Sequence, residues 1–176
     1  MGRSYFGNAG ATKLMSAAIQ LQWQVRDMSA SDLKDVAAIE RASYDFPWSQ
    51  GVFRDCLLAG YQSFVIEISS MASSQNSKAV RGYGIMSVAV GEAHILNLCV
   101  HSEFQSVGYG RRLLSALIEK AGTLGVERIY LEVRPSNNIA ISLYQSLGFK
   151  QIGVRPSYYQ ATVGREDAVI FAASIS

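Results

Sequence analysis

The chain is short of the residues that build metal sites, covalent staples and membrane spans. Its 176 residues include only two cysteines, two histidines and three prolines. Cys56 and Cys99 lie in apolar surroundings without metal-ligand spacing, and His94 and His101 add no ligand pattern. A zinc site or a disulfide framework is therefore not expected, and the setting that fits is reducing and cytoplasmic. No apolar run reaches the roughly 18–20 residues of a membrane-spanning helix. Residues 1–20 carry Arg3 and Lys13 but no apolar stretch of signal-peptide length. Gly2 opens an N-myristoylation pattern that Phe6 breaks, since Ser or Thr belongs there. We read 1–20 as a loose extension with no membrane role and 21–176 as the folded domain. An excess of one charge is lacking too. Sixteen basic and 14 acidic residues leave a net +2, and Arg111-Arg112 is the only tight basic pair. That speaks against direct nucleic-acid binding, which calls for a basic stripe.

What is present is a globular balance, 49% hydrophobic and 17% charged, in a length that suits one core. Strand-like runs and amphipathic helices alternate from Trp23 onward. Residues 23–26 read as a strand. Ser29 and Ser31 offer caps to a helix bearing Leu33, Val36, Ala37 and Ile39. Phe46-Pro47-Trp48 breaks it, and Ser49 caps a second helix with Val52, Phe53, Cys56 and Leu57 facing inward, closed by Gly60. Strands are expected at 63–68, 83–90 and 94–100, with a polar loop at 69–78. A helix at 109–124 carries Leu113, Leu114, Leu117, Ile118 and Ala121 at helical spacing and stops at Gly125. A strand at 129–133, a helix at 138–147 stopped by Gly148, and strands at 150–155 and 167–172 complete the order βααβββαβαββ. This is one α/β domain around a mixed, mostly antiparallel sheet flanked by helices.

Two stretches carry chemistry. Gln105-Ser106-Val107-Gly108-Tyr109-Gly110-Arg111 joins a strand to the strongest helix. Gly108 and Gly110 let the backbone turn and expose N–H groups, and the positive end of the helix lies behind them. Arg111 and Arg112 add charge. The spacing is neither a Walker loop nor a dinucleotide fingerprint. The second stretch is Ile129-Tyr130-Leu131-Glu132-Val133, where alternation sets Glu132 opposite the apolar residues. A carboxylate in an apolar strand needs a partner or a task, and burial would make it a better base. On the following helix, the Tyr144 hydroxyl could protonate a leaving group, and Tyr130 competes for that role. Asn137 and Asn138 sit at the mouth of that helix as an N-cap or as ligand contacts.

Taken together, these motifs resemble the GNAT N-acetyltransferase superfamily, over about 24–175. A narrower set resembles its branch that acetylates the N-terminal alanine of bacterial ribosomal protein S18. That set comprises Phe46-Pro47-Trp48-Ser49, Leu131 to Asn137, Leu143-Tyr144 with Gly148-Phe149, Tyr158-Tyr159, and Gly164 to Ala168. The resemblance implies acetyl-CoA as donor and the S18 N-terminus as protein acceptor, with Glu132 as general base and Tyr144 as general acid. It implies that Leu98, Cys99 and Val100 hold the pantetheine arm through their backbone. It further implies that Ser106, Val107, Gly108, Tyr109, Gly110 and Arg111 bind the pyrophosphate and that Asn137 touches the cofactor. Glu103, Glu166 and Asp167 are candidates for the acidic groove that a basic N-terminus would use. Other readings keep the fold and change the acceptor to a lysine, a polyamine or another small amine. They also include a covalent route through Cys99 and a CoA-binding module without turnover.

Overall fold

A computed structural model describes residues 21–70 and 78–175; the extension at 1–20 and most of the expected 69–78 loop lie outside them. The chain forms β1 (Leu21–Asp27), α1 (Leu33–Ser43), α2 (Gln50–Leu58), β2 (Gln62–Ser70), β3 (Lys78–Ala89) and β4 (Glu92–Val100). It continues with α3 (Tyr109–Thr123), β5 (Arg128–Val133), α4 (Asn138–Ser146), β6 (Lys150–Gln160) and β7 (Arg165–Ser174). The seven strands lie in the order β1-β2-β3-β4-β5-β7-β6. Every neighbouring pair is antiparallel except β4 and β5.

Helices cover both faces because β2 and β3 bury apolar residues at successive positions, Val65 with Ile66 and Ile85 with Met86, and so are apolar on both. Leu33, Val36, Ala37 and Phe53 pack with Val65, Tyr83, Ile85 and Cys99 on one face. Leu114, Leu117 and Tyr144 pack with Met86, Ile95, Leu131 and Phe171 on the other. In β3, Gly82 and Gly84 allow α3 and β4 to come close. A Cβ on Gly82 would meet the Cys99 carbonyl oxygen at 2.8 Å, and one on Gly84 would meet Leu117 at 2.9 Å. Helix ends follow local chemistry. The Ser49 hydroxyl accepts from the Val52 N–H at 3.4 Å, and Gly125 and Gly148 take φ of +70° and +87° just beyond α3 and α4.

Several boundaries depart from expectation. The β2–β3 ladder runs through both ends of the expected loop, with Ser69 opposite Lys78. Val90 is not in β3: with φ of +49° it forms a two-residue turn with Gly91 (φ +78°), a twist that suits a tight hairpin and that alternation alone could not reveal. Val52 faces outward, at 39% exposed. Strand β6 extends to Gln160 past a register shift between Arg155 and Tyr159.

Candidate active site

The sheet opens at its centre. Strands β4 and β5 pair only from Glu92 with Arg128 to Ile95 with Leu131. Just beyond, Leu96 is an extra residue in β4, since Ile85 pairs with Asn97 but Met86 with Ile95. Such a bulge bends its strand and ends pairing. The parted strands leave two cavities, of about 660 and 440 Å³. Tyr44, Leu98, Asn137, Ala140 and Tyr144 line both, so the two spaces meet there.

The smaller cavity contains the glycine loop. Ser106 and Gly108 both have left-handed backbones, φ +63° and +92°, which fold the loop tightly against the N-terminus of the 15-residue helix α3. Gln105, Ser106, Gly108, Gly110 and Arg111 line this space, an anion cradle in both dipole and charge. Arg111 is steadied by the Ser146 hydroxyl at 2.7 Å. Arg112 is not part of it: its guanidinium lies 3.7 Å from the centre of the Trp23 ring on β1. Backbone parity sorts the β4 residues. His101 donates its N–H to the Arg81 carbonyl and Cys99 lies opposite Tyr83, so the Cys99 backbone is turned to β3. The Leu98 and Val100 backbones face the opening, where the Gln105 side chain donates to the Val100 carbonyl at 2.9 Å. Burial pushes the Cys99 thiol up from its ordinary value. That keeps it protonated and removes the physical basis of a covalent route.

Glu132 lies in the larger cavity. It is half-buried rather than sealed in, its side chain 19% exposed, with an Arg155 guanidinium nitrogen 3.5 Å away. Tyr144 is 7% exposed and packs against Phe149 and Phe171. Burial, with Cys99 adding, pushes its phenol up to about 12. Among the described residues its hydroxyl has no hydrogen-bond partner. Tyr130 lies at the other end of β5, stacked on His94 and donating to Glu92 at 3.2 Å, outside both cavities. Asn137 caps α4 by accepting the Ala140 N–H at 3.1 Å, which leaves its amide N–H group for a ligand. Asn138 is simply the first helical residue.

Of the acidic candidates, only Glu166 lines the larger cavity. It accepts from Arg134 at 2.9 Å and from the Ser136 hydroxyl at 2.7 Å, and these bonds, Ser136 first, hold its carboxyl below the usual range. Glu103 is a surface charge with its side chain 76% exposed. Asp167 accepts the Ser157 N–H at 2.8 Å. Sequence reasoning missed Glu40, Tyr44 and Asn97. The signal for Glu40 was its place one helical repeat after Leu33, on the apolar stripe of α1.

Two cavities meet at a break in the sheet, one beside a glycine loop at a helix N-terminus and the other lined with carboxylates, an arrangement that suits an anionic donor and a cationic acceptor. A sequence model of the acetyltransferase (GNAT) family matches residues 33–149. The chain is 38% identical over 152 residues to the ribosomal protein bS18-alanine N-acetyltransferase of Escherichia coli strain K12, covering 86% of this chain and 97% of the relative. The crystal structure of the ribosomal-protein-S18-alanine N-acetyltransferase from Escherichia coli superposes with a TM-score of 0.77 at 36% identity, covering 88% of this chain and 95% of that one. A putative acetyltransferase from Salmonella typhimurium, solved with acetyl-CoA, shares the fold at 20% identity with a TM-score of 0.72, over 88% and 95% of the two chains. The chain belongs to the GNAT acetyltransferase family, and it is an acetyltransferase.

Proposed function

We propose that the protein transfers the acetyl group of acetyl-CoA to the N-terminal α-amine of a protein, with the N-terminal alanine of ribosomal protein S18 as acceptor. The observation that carries this is the meeting of the two cavities at Tyr144. A donor entering along the glycine loop and an acceptor entering past Glu132 converge on one hydroxyl. The S18 acceptor rests on the similarity to enzymes named for that substrate, and a ribosomal acceptor puts the reaction in the cytoplasm. Among the described residues no helix is long and apolar enough to cross a membrane.

The residues present fit acetyl-CoA. Ser106, Val107, Gly108, Tyr109 and Gly110 offer backbone N–H groups to the pyrophosphate, and Arg111 adds charge. The Leu98 and Val100 backbones fit the amide-bearing arm, Cys99 contributes cavity wall, and Asn137 offers its side-chain amide. Bound there, acetyl-CoA supplies a thioester for direct attack by an amine. Glu132, through water, takes the proton from the acceptor ammonium. The Leu98 backbone N–H polarises the carbonyl, and Tyr144 directs its hydroxyl to the departing sulfur. An α-amine, ordinarily near 7.7–8.0, demands less of the base than a lysine near 10.4.

The test compares a peptide matching the S18 N-terminus with the same peptide carrying a blocked α-amine and a free lysine. The free α-amine should be acetylated faster. Equal rates would refute the α-amine assignment and turn attention to lysines or small amines.

A further inference from the structure

Glu40 is the most deeply buried carboxylate of the molecule, at 2% exposed, yet it lines the acceptor-side cavity. Its partners come from three other elements. The Trp48 N–H, from the α1–α2 connection, donates to one oxygen at 2.9 Å. The Tyr83 hydroxyl on β3 donates to the other, and the Asn97 amide nitrogen on β4 lies 3.4 Å from both. Every partner donates, as suits an ionised carboxylate, which only accepts. None of them is a cation. Two other carboxylates of this region are matched: Glu132 lies near Arg155, and Glu166 pairs with Arg134. Glu40 forms no ion pair among the described residues, and the larger cavity is lined by Glu40, Asp45, Glu132 and Glu166 against Arg134 alone.

A carboxylate met on both oxygens by neutral donors only, at the wall of an open cavity, lacks a counter-ion among the described residues. We propose that the missing counter-ion is the ammonium of the acceptor. On this view Glu40 is a specificity-determining residue that draws the cationic N-terminus to the deep end of the cavity, beside Glu132, without taking part in proton transfer. This rests on the amine-acceptor reading above. It assigns Glu40 a role at the acceptor and none at the donor.

Two substitutions separate charge from shape. Glu40→Gln keeps the outline and an oxygen for the Trp48 N–H but removes the charge. Glu40→Asp keeps the charge and shortens the side chain. Steady-state kinetics with the S18-like peptide should give Glu40→Gln a KM for peptide raised roughly tenfold, the scale of one unit charge acting across several ångströms of partly dehydrated protein. The KM for acetyl-CoA should be unchanged, which also reports a folded enzyme. Glu40→Asp should raise the peptide KM less than Glu40→Gln does. As a further readout, a peptide whose terminal amine is replaced by a hydroxyl should inhibit wild type and Glu40→Gln with equal Ki, because it carries no charge to lose. The proposal is overturned if Glu40→Gln keeps the wild-type peptide KM, if Glu40→Asp is the more damaging change, or if the hydroxyl peptide weakens as much as the amine. Absence of peptide acetylation by the wild type would instead defeat the acceptor reading on which it rests.

Discussion

Replacing Tyr144 by Phe removes one oxygen from a buried ring and nothing else. The ring stays packed against Phe149 and Phe171 at centroid distances of 6.0 and 6.4 Å. No hydrogen bond among the described residues is lost and no cavity larger than one oxygen is left, so stability should change by no more than about 1 kcal/mol. The kinetic loss can be bounded from the phenol itself. Pushed up to about 12 by burial, it is a weaker acid than an ordinary thiol near 8.5, so full proton transfer to the sulfur is unfavourable. The hydroxyl therefore helps by bonding to sulfur as charge develops, and the lower end of acid–base contributions applies, about 10²-fold in kcat, or about 2.7 kcal/mol. Because the wild-type phenol stays protonated well beyond neutrality, the ratio of wild-type to mutant rate should be flat from pH 6 to 9. The assay is steady-state release of CoA at saturating acetyl-CoA and peptide. A mutant within threefold of wild type would refute the placement of Tyr144 at the leaving group. A defect that vanishes toward pH 9 would show that the hydroxyl serves the amine and not the sulfur.

The partner substitution should behave in the opposite way. Glu132→Gln should lose about 10²–10⁴ in turnover near neutrality, and the defect should shrink as pH rises because solvent then deprotonates the amine; a pH-independent defect would argue for a positional role. Gly110→Val tests the anion cradle. Gly110 lines the smaller cavity, and a Cβ there would sit in contact with Leu143 at 3.4 Å and Val100 at 3.9 Å; added methyls take up space beside the cradle, and calorimetry should find acetyl-CoA affinity reduced tenfold or more with an unchanged circular dichroism spectrum. Val90, 102% exposed at φ +49°, is a β-branched residue in a left-handed turn. Val90→Asn should stabilise by about 1 kcal/mol and raise Tm by about 2–4 °C, and a lower Tm would mean that the hairpin turn is misjudged.

What the sequence determined by itself is whatever depends on neighbours along the chain. Glycines at 125 and 148 end helices because only they enter the left-handed region without strain. The Asn137 side chain reaches the N–H three residues on. Strict alternation fixes Glu132 opposite Ile129, Leu131 and Val133 wherever the strand lies. The family resemblance rested on such local strings, and the fold it implied was the right one. Tertiary structure decided what depends on register and on distant segments. Nothing in 92–100 or 128–133 says that their pairing stops at Ile95 and Leu131; that follows from one extra residue in β4 set against the length of β5, and it creates both cavities. Parity against β3 turns the Cys99 backbone away from the opening while those of Leu98 and Val100 face it. Arg112, adjacent in sequence to the cradle, is carried by the helical rotation from Arg111 onto Trp23. Glu40 reads locally as a flaw in an apolar helix stripe. It becomes a carboxylate facing the larger cavity only when the α1–α2 connection, β3 and β4 each bring it a hydrogen-bond donor and none brings a cation.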